Sequence, residues 1–234
     1  MISVVIPTLD AEQSLPMCLS ALVPGAVDGL ISEVLIADGG SRDRTLEISN
    51  DAGVRVIACE PGRGAQLVAG GGEATNAWLM FLHADTVLEP GWEIEVRSYI
   101  AKIERGARKD SAAAFRFALD DDGIAPRLLE GLVWLRSAFF GFPYGDQGLL
   151  VSRSLYDSVR GYRPIPLMED IDIVRRLGWR RVRIMRTRAI TSANRYRENG
   201  YVSRVFRNQA CLLMYVFGFS PERISRMYCA KPEK

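Results

Sequence analysis

The chain has 234 residues, of which 48% are hydrophobic and 25% charged, and its formal net charge at pH 7 is +2. This composition is typical of a globular protein, and the length suits one large domain or one domain with an attached helical lobe. The cysteines form no C-x-x-C pair, which excludes a zinc site or a disulfide framework. We expect reduced core thiols in a cytosolic protein at Cys18, Cys59, Cys211 and Cys229.

Neither a secretory leader nor a membrane span is expected. The sequence enters a strand at Ile2 without a basic leader or a small-residue cleavage site, which argues against a signal peptide. The longest apolar run near the C-terminus, residues 210–219, is about half the length that a spanning helix needs.

The first part of the chain predicts alternating strands and helices. Continuous apolar runs typical of strands buried on both faces stand at residues 2–6, 33–37, 54–59 and 77–82. Ser14 is expected to cap a first helix, which has Pro16 in its first turn, and Ser41 a second helix over residues 42–51. A third helix is expected at residues 65–75. This β-α-β order predicts right-handed crossovers and a parallel sheet.

The second half predicts a less regular arrangement. Strands are expected at residues 112–119 and 149–152, with one or two short strands at 182–184 and 189–191. Helices are expected after Pro221 and at residues 90–104, 124–140, 170–177 and 200–217. No repeat or long linker divides the chain.

Polar residues follow three of the early strands. Asp10, Asp38 and Asp85 stand there, and the carboxyl edge of an open α/β sheet is where ligands bind. Carboxylates suit a cation and its phosphates, because hard cations need oxygen ligands. Asp38, followed by two glycines, can accept hydrogen bonds from a nucleobase or bond a ribose. It can equally organise the turn from strand to helix.

His83 and Asp85 lie on one face at the end of a strand. Asp85 is predicted to bind a metal ion or to act at a phosphate. His83 is either a second metal ligand or a side chain that orients Asp85. His83 is the only histidine of the chain, which excludes a multi-histidine metal site. A Ser-His-Asp triad lacks its G-x-S-x-G nucleophile elbow.

Arg63 stands between two glycines and can bind a phosphate through its forked guanidinium, with help from backbone N–H groups. The segment is neither a G-x-G-x-x-G fingerprint nor a P-loop, which argues against dehydrogenases and NTPases. Glu169 and Asp170 can simply complement a helix dipole. We prefer catalysis, because a transfer to a hydroxyl needs a base and no other His, Cys or Lys is well placed.

Eleven arginines and a single acidic residue, Glu198, lie between Arg175 and Arg207. This cluster can meet phosphates, an anionic membrane or nucleic acid, but arginine dominates the basic residues of the whole chain, so composition alone explains it equally well. An apolar stripe runs along the C-terminal helix, through Val202, Val205, Phe206, Leu212, Leu213 and Val216. We expect it to pack on the rest of the protein. The alternative is a surface helix that rests on anionic lipid.

Five segments in order resemble the family 2 glycosyltransferases of GT-A fold, namely residues 4–10, 36–43, 62–64, 81–86 and 168–170. The resemblance extends over about residues 2–190. The tail, residues 192–196 and 215–228, looks like that of a small soluble subgroup whose genes often lie near radical-enzyme and selenium-related genes.

This resemblance implies an α/β fold of GT-A type, a Rossmann-like and mostly parallel sheet flanked by helices, with a C-terminal helical segment. It implies a glycosyltransferase domain at residues 1–190, divided into a donor-binding half at 1–105 and an acceptor half at 106–190. Residues 191–234 are then a helical extension packed on the same domain.

On the donor side the resemblance implies that Pro7, Thr8 and Asp10 line a nucleoside pocket, although Asn is common at the position of Asp10. Asp38 would bond the base, and Arg63 would approach the nucleoside or its phosphates.

Asp85 matches the last Asp of the family's D-x-D motif and would coordinate Mg²⁺ or Mn²⁺. His83 replaces the first Asp and would be a metal ligand or a ribose contact. Asp170 matches the acidic base, with Glu169 helping to place it. Acceptor-side residues of the family fall at Asp146 and Gln147.

The implied function is a metal-dependent, inverting, hexosyltransferase-like transfer from a nucleotide-diphospho-sugar to a hydroxyl of a small soluble or lipid-linked acceptor. With the C-terminal helix packed, we expect the soluble acceptor; a helix on anionic lipid would instead help to capture a lipid-linked one. The implied location is the cytoplasm or the inner face of the membrane, with no nucleic-acid partner. One alternative is a sugar-1-phosphate nucleotidyltransferase, but residues 8–12 lack the basic Gly-rich loop that such an enzyme normally carries after its first strand. Another is a non-catalytic sugar-nucleotide-binding protein.

Overall fold

The computed structural model describes residues 1–140, 145–193, 196–197 and 200–229. The strands are β1 (Ile2–Thr8), β2 (Ile31–Asp38), β3 (Arg55–Ala58), β4 (Trp78–Phe81), β5 (Thr86–Leu88), β6 (Ala112–Leu119), β7 (Leu149–Ser152) and β8 (Val182–Thr191). The α-helices are α1 (Leu15–Val27), α2 (Thr45–Asp51), α3 (Arg63–Glu73), α4 (Trp92–Glu104), α5 (Ile124–Phe140), α6 (Arg153–Ser158), α7 (Glu169–Leu177), α8 (Tyr201–Val216) and α9 (Pro221–Cys229).

These strands form one sheet in the order β3-β2-β1-β4-β7-β6-β8-β5. β1 pairs in parallel with β2 and β4, and β2 with β3, so the first four strands form the predicted parallel sheet. β7 joins the two halves by antiparallel pairing with β4 and β6. β6 and β8 are again parallel, whereas β5 adds antiparallel to β8. This confirms the expected α/β class with a mostly parallel sheet flanked by helices.

The first strand is buried on both faces, as its apolar run predicts. Val4 and Ile6 pack in one core cluster, with Trp92 of α4, while Val5 points to the cluster on the opposite face. Helices therefore cover both faces of the parallel half, and its polar residues collect at the carboxyl edge.

Two helix starts differ from the expectation. The prediction that Ser41 caps α2 is wrong, since α2 begins at Thr45 and the Ser41 hydroxyl donates to Asp38 Oδ1 at 2.5 Å. Ser14 does stand at the N-cap of α1, but its hydroxyl donates to the carbonyl of Ala11 rather than accepting a helix N–H. Both side chains serve the loops at the strand ends instead of the helices.

The apolar stripe of α8 is divided between the core and the surface. Leu212 is buried, and Val205 packs against the core cluster that contains Phe117 and Leu129. The expectation that the whole stripe is packed is wrong for three members, which are exposed: Phe206, Leu213 and Val216. The side chain of Val202 lies outside the described residues. Within the described part of the chain, no helix is long and apolar enough to span a membrane.

Candidate functional site

A pocket of about 330 Å³ opens beyond the carboxyl end of β4. Six residues singled out from the sequence line it: Arg63, His83, Asp85, Asp146, Glu169 and Asp170. Its opposite wall is built by the C-terminal part of the chain, through Tyr196, Arg204, Asn208, Ser225 and Tyr228. The pocket thus lies between the sheet edge and α8 and α9.

His83 and Asp85 occupy the turn between β4 and β5. The N–H of Ser192 donates to the Asp85 carbonyl at 3.3 Å, so the end of β8 is held against this turn. Below the turn, the Cys18 thiol contacts the His83 carbonyl at 3.5 Å. Burial, with a further contribution from the Asp85 charge, raises the pKa of Cys18 to about 12, so this thiol is an unreactive core group.

Gly145 lies between His83 and Asp170. Its N–H donates to Asp170 Oδ2 at 2.7 Å, and the N–H of Ile171 donates to Oδ1 at 2.7 Å. A Cβ atom at position 145 would stand 2.6 Å from His83 Nε2, so a larger residue here would displace the imidazole. Two motifs that are distant in sequence are therefore neighbours across one glycine.

Glu169 is buried beside Arg63, with 3.7 Å between Glu169 Oε1 and Arg63 Nη1. Burial and the neighbouring Asp170 charge raise the pKa of Glu169 to about 7, although Arg63 opposes the shift. Burial alone would lower the pKa of Arg63, but four surrounding carboxylates, those of Glu169, Asp170, Asp85 and Asp146, raise it further above its ordinary value. Arg63 is therefore a permanent cation within an acidic pocket.

The two glycines beside Arg63 have different roles, conformational for Gly62 and packing for Gly64. Gly62 has a φ of 131°, in the region that favours glycine, and it precedes α3. A Cβ atom on Gly64 would lie 2.4 Å from the carbonyl oxygen of Ile165. Met168, just before α7, has a φ of 68°, uncommon for a residue with a side chain. The close approach of α3 and this unusual turn together set the position of Glu169.

Asp38 organises the loop after β2. Its Oδ1 accepts from the hydroxyls of Thr8 at 3.0 Å and Ser41 at 2.5 Å, and its Oδ2 from the N–H groups of Gly40 and Ser41, each at 2.9 Å. Burial would raise the pKa of Asp38, but these hydrogen bonds outweigh it and lower the pKa below its ordinary value. Of the two roles left open by the sequence, the turn-organising one is visible, and contact with a base stays a prediction.

Five predicted site residues lie outside the pocket lining: Pro7, Thr8, Asp10, Asp38 and Gln147. Asp10 has a φ of 51° and accepts from the N–H of Arg42 at 2.8 Å, so it ties the loops after β1 and β2 together. Gln147 is buried, and its amide donates to the Phe115 carbonyl at 2.9 Å.

Sequence reasoning included Arg204 only as a member of the basic cluster between Arg175 and Arg207, and it assigned no site role to the other residues of the C-terminal wall. The guanidinium of Arg204 lies 5.1 Å from the centre of the Tyr196 ring. Its Nε is buried and has no hydrogen-bond partner among the described residues. Arg204 and Asn208 are one helical turn apart on α8, on the side away from the exposed Phe206 and Leu213. The spacing of these two polar residues was the sequence signal that could have indicated a pocket-lining side of α8.

A divalent cation fits this pocket only if the protein and the substrate together supply its ligands. In the described part of the chain, no three His, Cys, Asp or Glu side chains are grouped closely enough to hold a metal ion. Asp85 and His83 supply one carboxylate and one imidazole. Mg²⁺ in phosphate-handling sites is commonly bound by one or two carboxylates together with substrate phosphates and water. The donor set fits such a site rather than a cage built from protein alone.

Comparison with known proteins identifies the family. The model of "Glycosyl transferase family 2" matches residues 3–142. A PGL/p-HBAD biosynthesis glycosyltransferase of Mycobacterium tuberculosis is 36% identical over 95 residues, which cover 38% of this chain and 36% of that protein. Glucosyl-3-phosphoglycerate synthase of Mycolicibacterium paratuberculosis is 32% identical over 95 residues, covering 37% of this chain and 29% of that protein. The matches thus span about a third of these relatives' lengths.

Solved structures share the fold. Staphylococcus aureus TarS (residues 1–349) superimposes with a TM-score of 0.63 at 14% identity, covering 82% of this chain and 60% of that one. Glucosyl-3-phosphoglycerate synthase of M. tuberculosis, in complex with Mn²⁺, UDP and glucosyl-3-phosphoglycerate, gives a TM-score of 0.53 at 21% identity, covering 82% and 70%. The subgroup defined by gene neighbourhood stays a prediction. The family match covers more than half of the chain and the sheet has the GT-A arrangement, so this chain belongs to glycosyl transferase family 2.

Proposed function

We propose that this chain transfers a sugar, with inversion, from a nucleotide-diphospho-sugar to an acceptor hydroxyl in a metal-dependent reaction in the cytoplasm. The observation that carries the proposal is the convergence of three kinds of group on one pocket. Asp85 with His83 offers ligands for a cation, Arg63 offers a fixed positive charge, and Asp170 offers a base. Departure of a diphosphate needs the first two, and activation of a hydroxyl needs the third.

The donor would bind with its diphosphate near Asp85 and Arg63. Mg²⁺ or Mn²⁺ bound there, by Asp85 with His83 as the second ligand, would neutralise charge on the leaving diphosphate. Arg204 lines the same space from α8 and would add a second positive charge facing an anionic oxygen of the donor. The nucleoside would lie along the sheet edge at Pro7, Thr8, Asp10 and Asp38.

The acceptor would enter beside Asp170. Each carboxylate oxygen accepts two hydrogen bonds, so the bonds from Gly145 and Ile171 leave acceptor capacity for a hydroxyl. Asp170 would take the hydroxyl proton while the acceptor oxygen attacks the anomeric carbon and the bond from that carbon to the diphosphate breaks. Glu169 supports this position from the buried side, and Asp146 lines the acceptor side of the pocket.

The relatives guide the choice of donor. One structural neighbour is described in complex with Mn²⁺, UDP-glucose and phosphoglyceric acid. We therefore propose a uridine-diphosphate hexose as the first donor to test. The acceptor can be a small soluble alcohol or a lipid-linked one.

The test is incubation of the purified chain with a panel of sugar nucleotides, with and without Mn²⁺. Slow metal-dependent hydrolysis of a donor to its nucleoside diphosphate, lost in Asp170→Asn, supports the transferase. Pyrophosphate release from a nucleoside triphosphate and a sugar phosphate would instead identify a nucleotidyltransferase. Metal-dependent binding without any turnover would identify a sugar-nucleotide sensor. Asp157→Asn, which changes an exposed carboxylate on α6, is the matched control.

A further inference from the structure

We propose that the outer surfaces of α5, α8 and α9 form a docking face for an anionic lipid bilayer. The docking face comprises the exposed apolar side chains of these helices and of the turn between α8 and α9, namely Ile124, Leu128, Leu132, Trp134, Leu135, Phe206, Leu213, Val216, Phe217, Phe219 and Met227. Large apolar groups concentrated in this way mark an interaction surface.

The first half of the docking face is a stripe on α5. Ile124, Leu128 and Leu132 follow one another at intervals of one helical turn and are 80%, 64% and 59% exposed. On the opposite side of the same helix, Leu129 and Val133 are buried in the core. Helix α5 is therefore apolar on both sides. Within the described part of the chain, one of these sides is buried and the other is exposed to solvent.

The second half lies on α8. Phe206, Leu213 and Phe217 share one side, at helical spacing, and are 76%, 55% and 78% exposed. Val205 packs inward on the same core cluster as Leu129 of α5. Because both helices cover one cluster, their outward stripes occupy neighbouring parts of the surface.

The charges on the α8–α9 side of the docking face select its partner. Residues 201–229 contain a single acidic residue, Glu222, and four arginines, of which Arg204 faces the pocket and three remain to flank the docking face: Arg207, Arg223 and Arg226. Arg223 lies 5.1 Å from the ring centre of Phe219 and Arg207 lies 5.9 Å from that of Tyr228. Basic and aromatic groups on an otherwise apolar helix face are typical of helices that lie in the interface of an anionic membrane. A second copy of this chain would instead bring like charges together.

The docking face is the reverse side of one wall of the pocket. Arg204 and Asn208 of α8, and Ser225 and Tyr228 of α9, line the pocket, while Phe206, Leu213 and Met227 face outward. A bilayer on the docking face would lie about one helix diameter, ~10 Å, from the pocket. Under the proposed function, this position favours a lipid-linked acceptor over the soluble one expected from the sequence.

Co-sedimentation with vesicles tests the docking face without any turnover. The full chain should sediment with vesicles of mixed phosphatidylcholine and phosphatidylglycerol, less so as salt rises, and remain in the supernatant with phosphatidylcholine alone. The variant Phe206→Gln/Leu213→Gln/Phe217→Gln should bind at least ~10-fold more weakly, because it removes three membrane-buried groups. The control Val27→Gln/Ile94→Gln changes equally exposed apolar residues, 80% and 69% exposed, on α1 and α4 and should bind like the parent.

Three results would overturn the proposal. The first is a parent chain that stays in the supernatant with phosphatidylglycerol vesicles at low salt. The second is unchanged binding of the triple glutamine variant, folded by circular dichroism, since charge alone would then explain the binding. The third is a dimer of the parent in sedimentation velocity that the triple variant dissolves, which would make the face an interface between copies. Donor hydrolysis by the triple variant, measured separately, reports on the proposed function alone.

Discussion

The backbone N–H of Gly145 donates a hydrogen bond of 2.7 Å to Oδ2 of Asp170. This bond ties the segment before β7 to the first turn of α7. Since the same glycine is packed against the ring of His83, the turn after β4 is drawn into the contact as well. The candidate base and the candidate metal-side histidine are therefore positioned by one small residue.

Replacing the candidate base tests the centre of this arrangement. Asp170→Asn removes the group that would accept the hydroxyl proton. It also places an amide NH₂ opposite one of the two backbone N–H groups, of Gly145 and Ile171, that donate to the carboxylate in the parent chain. We expect transfer to slow by ~10² to 10⁴, with donor affinity largely retained. Single-turnover kinetics and calorimetric titration measure the two quantities. Turnover at the parent rate would move the role to Glu169 or Asp146.

Asp85→Ala should separate metal binding from nucleotide binding. In the parent chain we expect Mn²⁺ to strengthen binding of the nucleotide sugar, because a cation between Asp85 and the diphosphate relieves repulsion of like charges. The variant should bind with equal affinity in the presence and absence of Mn²⁺ and should not turn over. Calorimetric titration with both metal conditions is the measurement. Equal affinity of the parent chain for the nucleotide sugar with and without Mn²⁺ would contradict the metal-dependent mechanism.

Most of the fold was predictable, because burial imposes regular apolar patterns. β6, β7 and α5 were predicted at their observed boundaries, residues 112–119, 149–152 and 124–140. β5 and α6 were not predicted, since each is too short to show a period. The start of α2 was misplaced because polar residues after β2 bond across to the loop after β1, as in the Asp10 contact with the Arg42 N–H.

The site was predictable only on the sheet side. Asp85 and Asp170 stand at a strand end and a helix start, positions that can be read locally, and both line the pocket. Arg204 and Tyr228 line it too. The spacing of Arg204 and Asn208 shows a polar side of α8, but that this side faces the pocket depends on how α8 and α9 fold back over the sheet edge, which no local pattern encodes. The same holds for Gly64, whose need for glycine arises from the distant carbonyl of Ile165.

Glu169 should make stability depend on pH. Its pKa is about 7 in the folded chain against an ordinary 4.5, so between these values the unfolded chain releases a proton that the folded chain keeps. Stability should therefore fall as pH rises through this window, by about 3 kcal/mol in total. Glu169→Gln should remove this decline, and the two chains should converge at lower pH. Urea unfolding at a series of pH values measures it. If the stability of both chains depends on pH in the same way, the raised pKa of Glu169 is contradicted.

Two glycines of α3 should respond oppositely to the same substitution. In Gly64→Ala the new Cβ would lie 2.4 Å from a backbone oxygen, that of Ile165, which no rotamer change can relieve. The segment leading to Glu169 must then shift, so we expect a loss of ~1–3 kcal/mol of stability together with reduced turnover. In Gly72→Ala the Cβ meets nothing within 4 Å, and the helix should gain ~0.5–1 kcal/mol because alanine loses less backbone entropy than glycine. Denaturant midpoints and donor hydrolysis of both variants provide the comparison. If Gly64→Ala is as stable and active as Gly72→Ala, the close approach of α3 to this segment does not position the site.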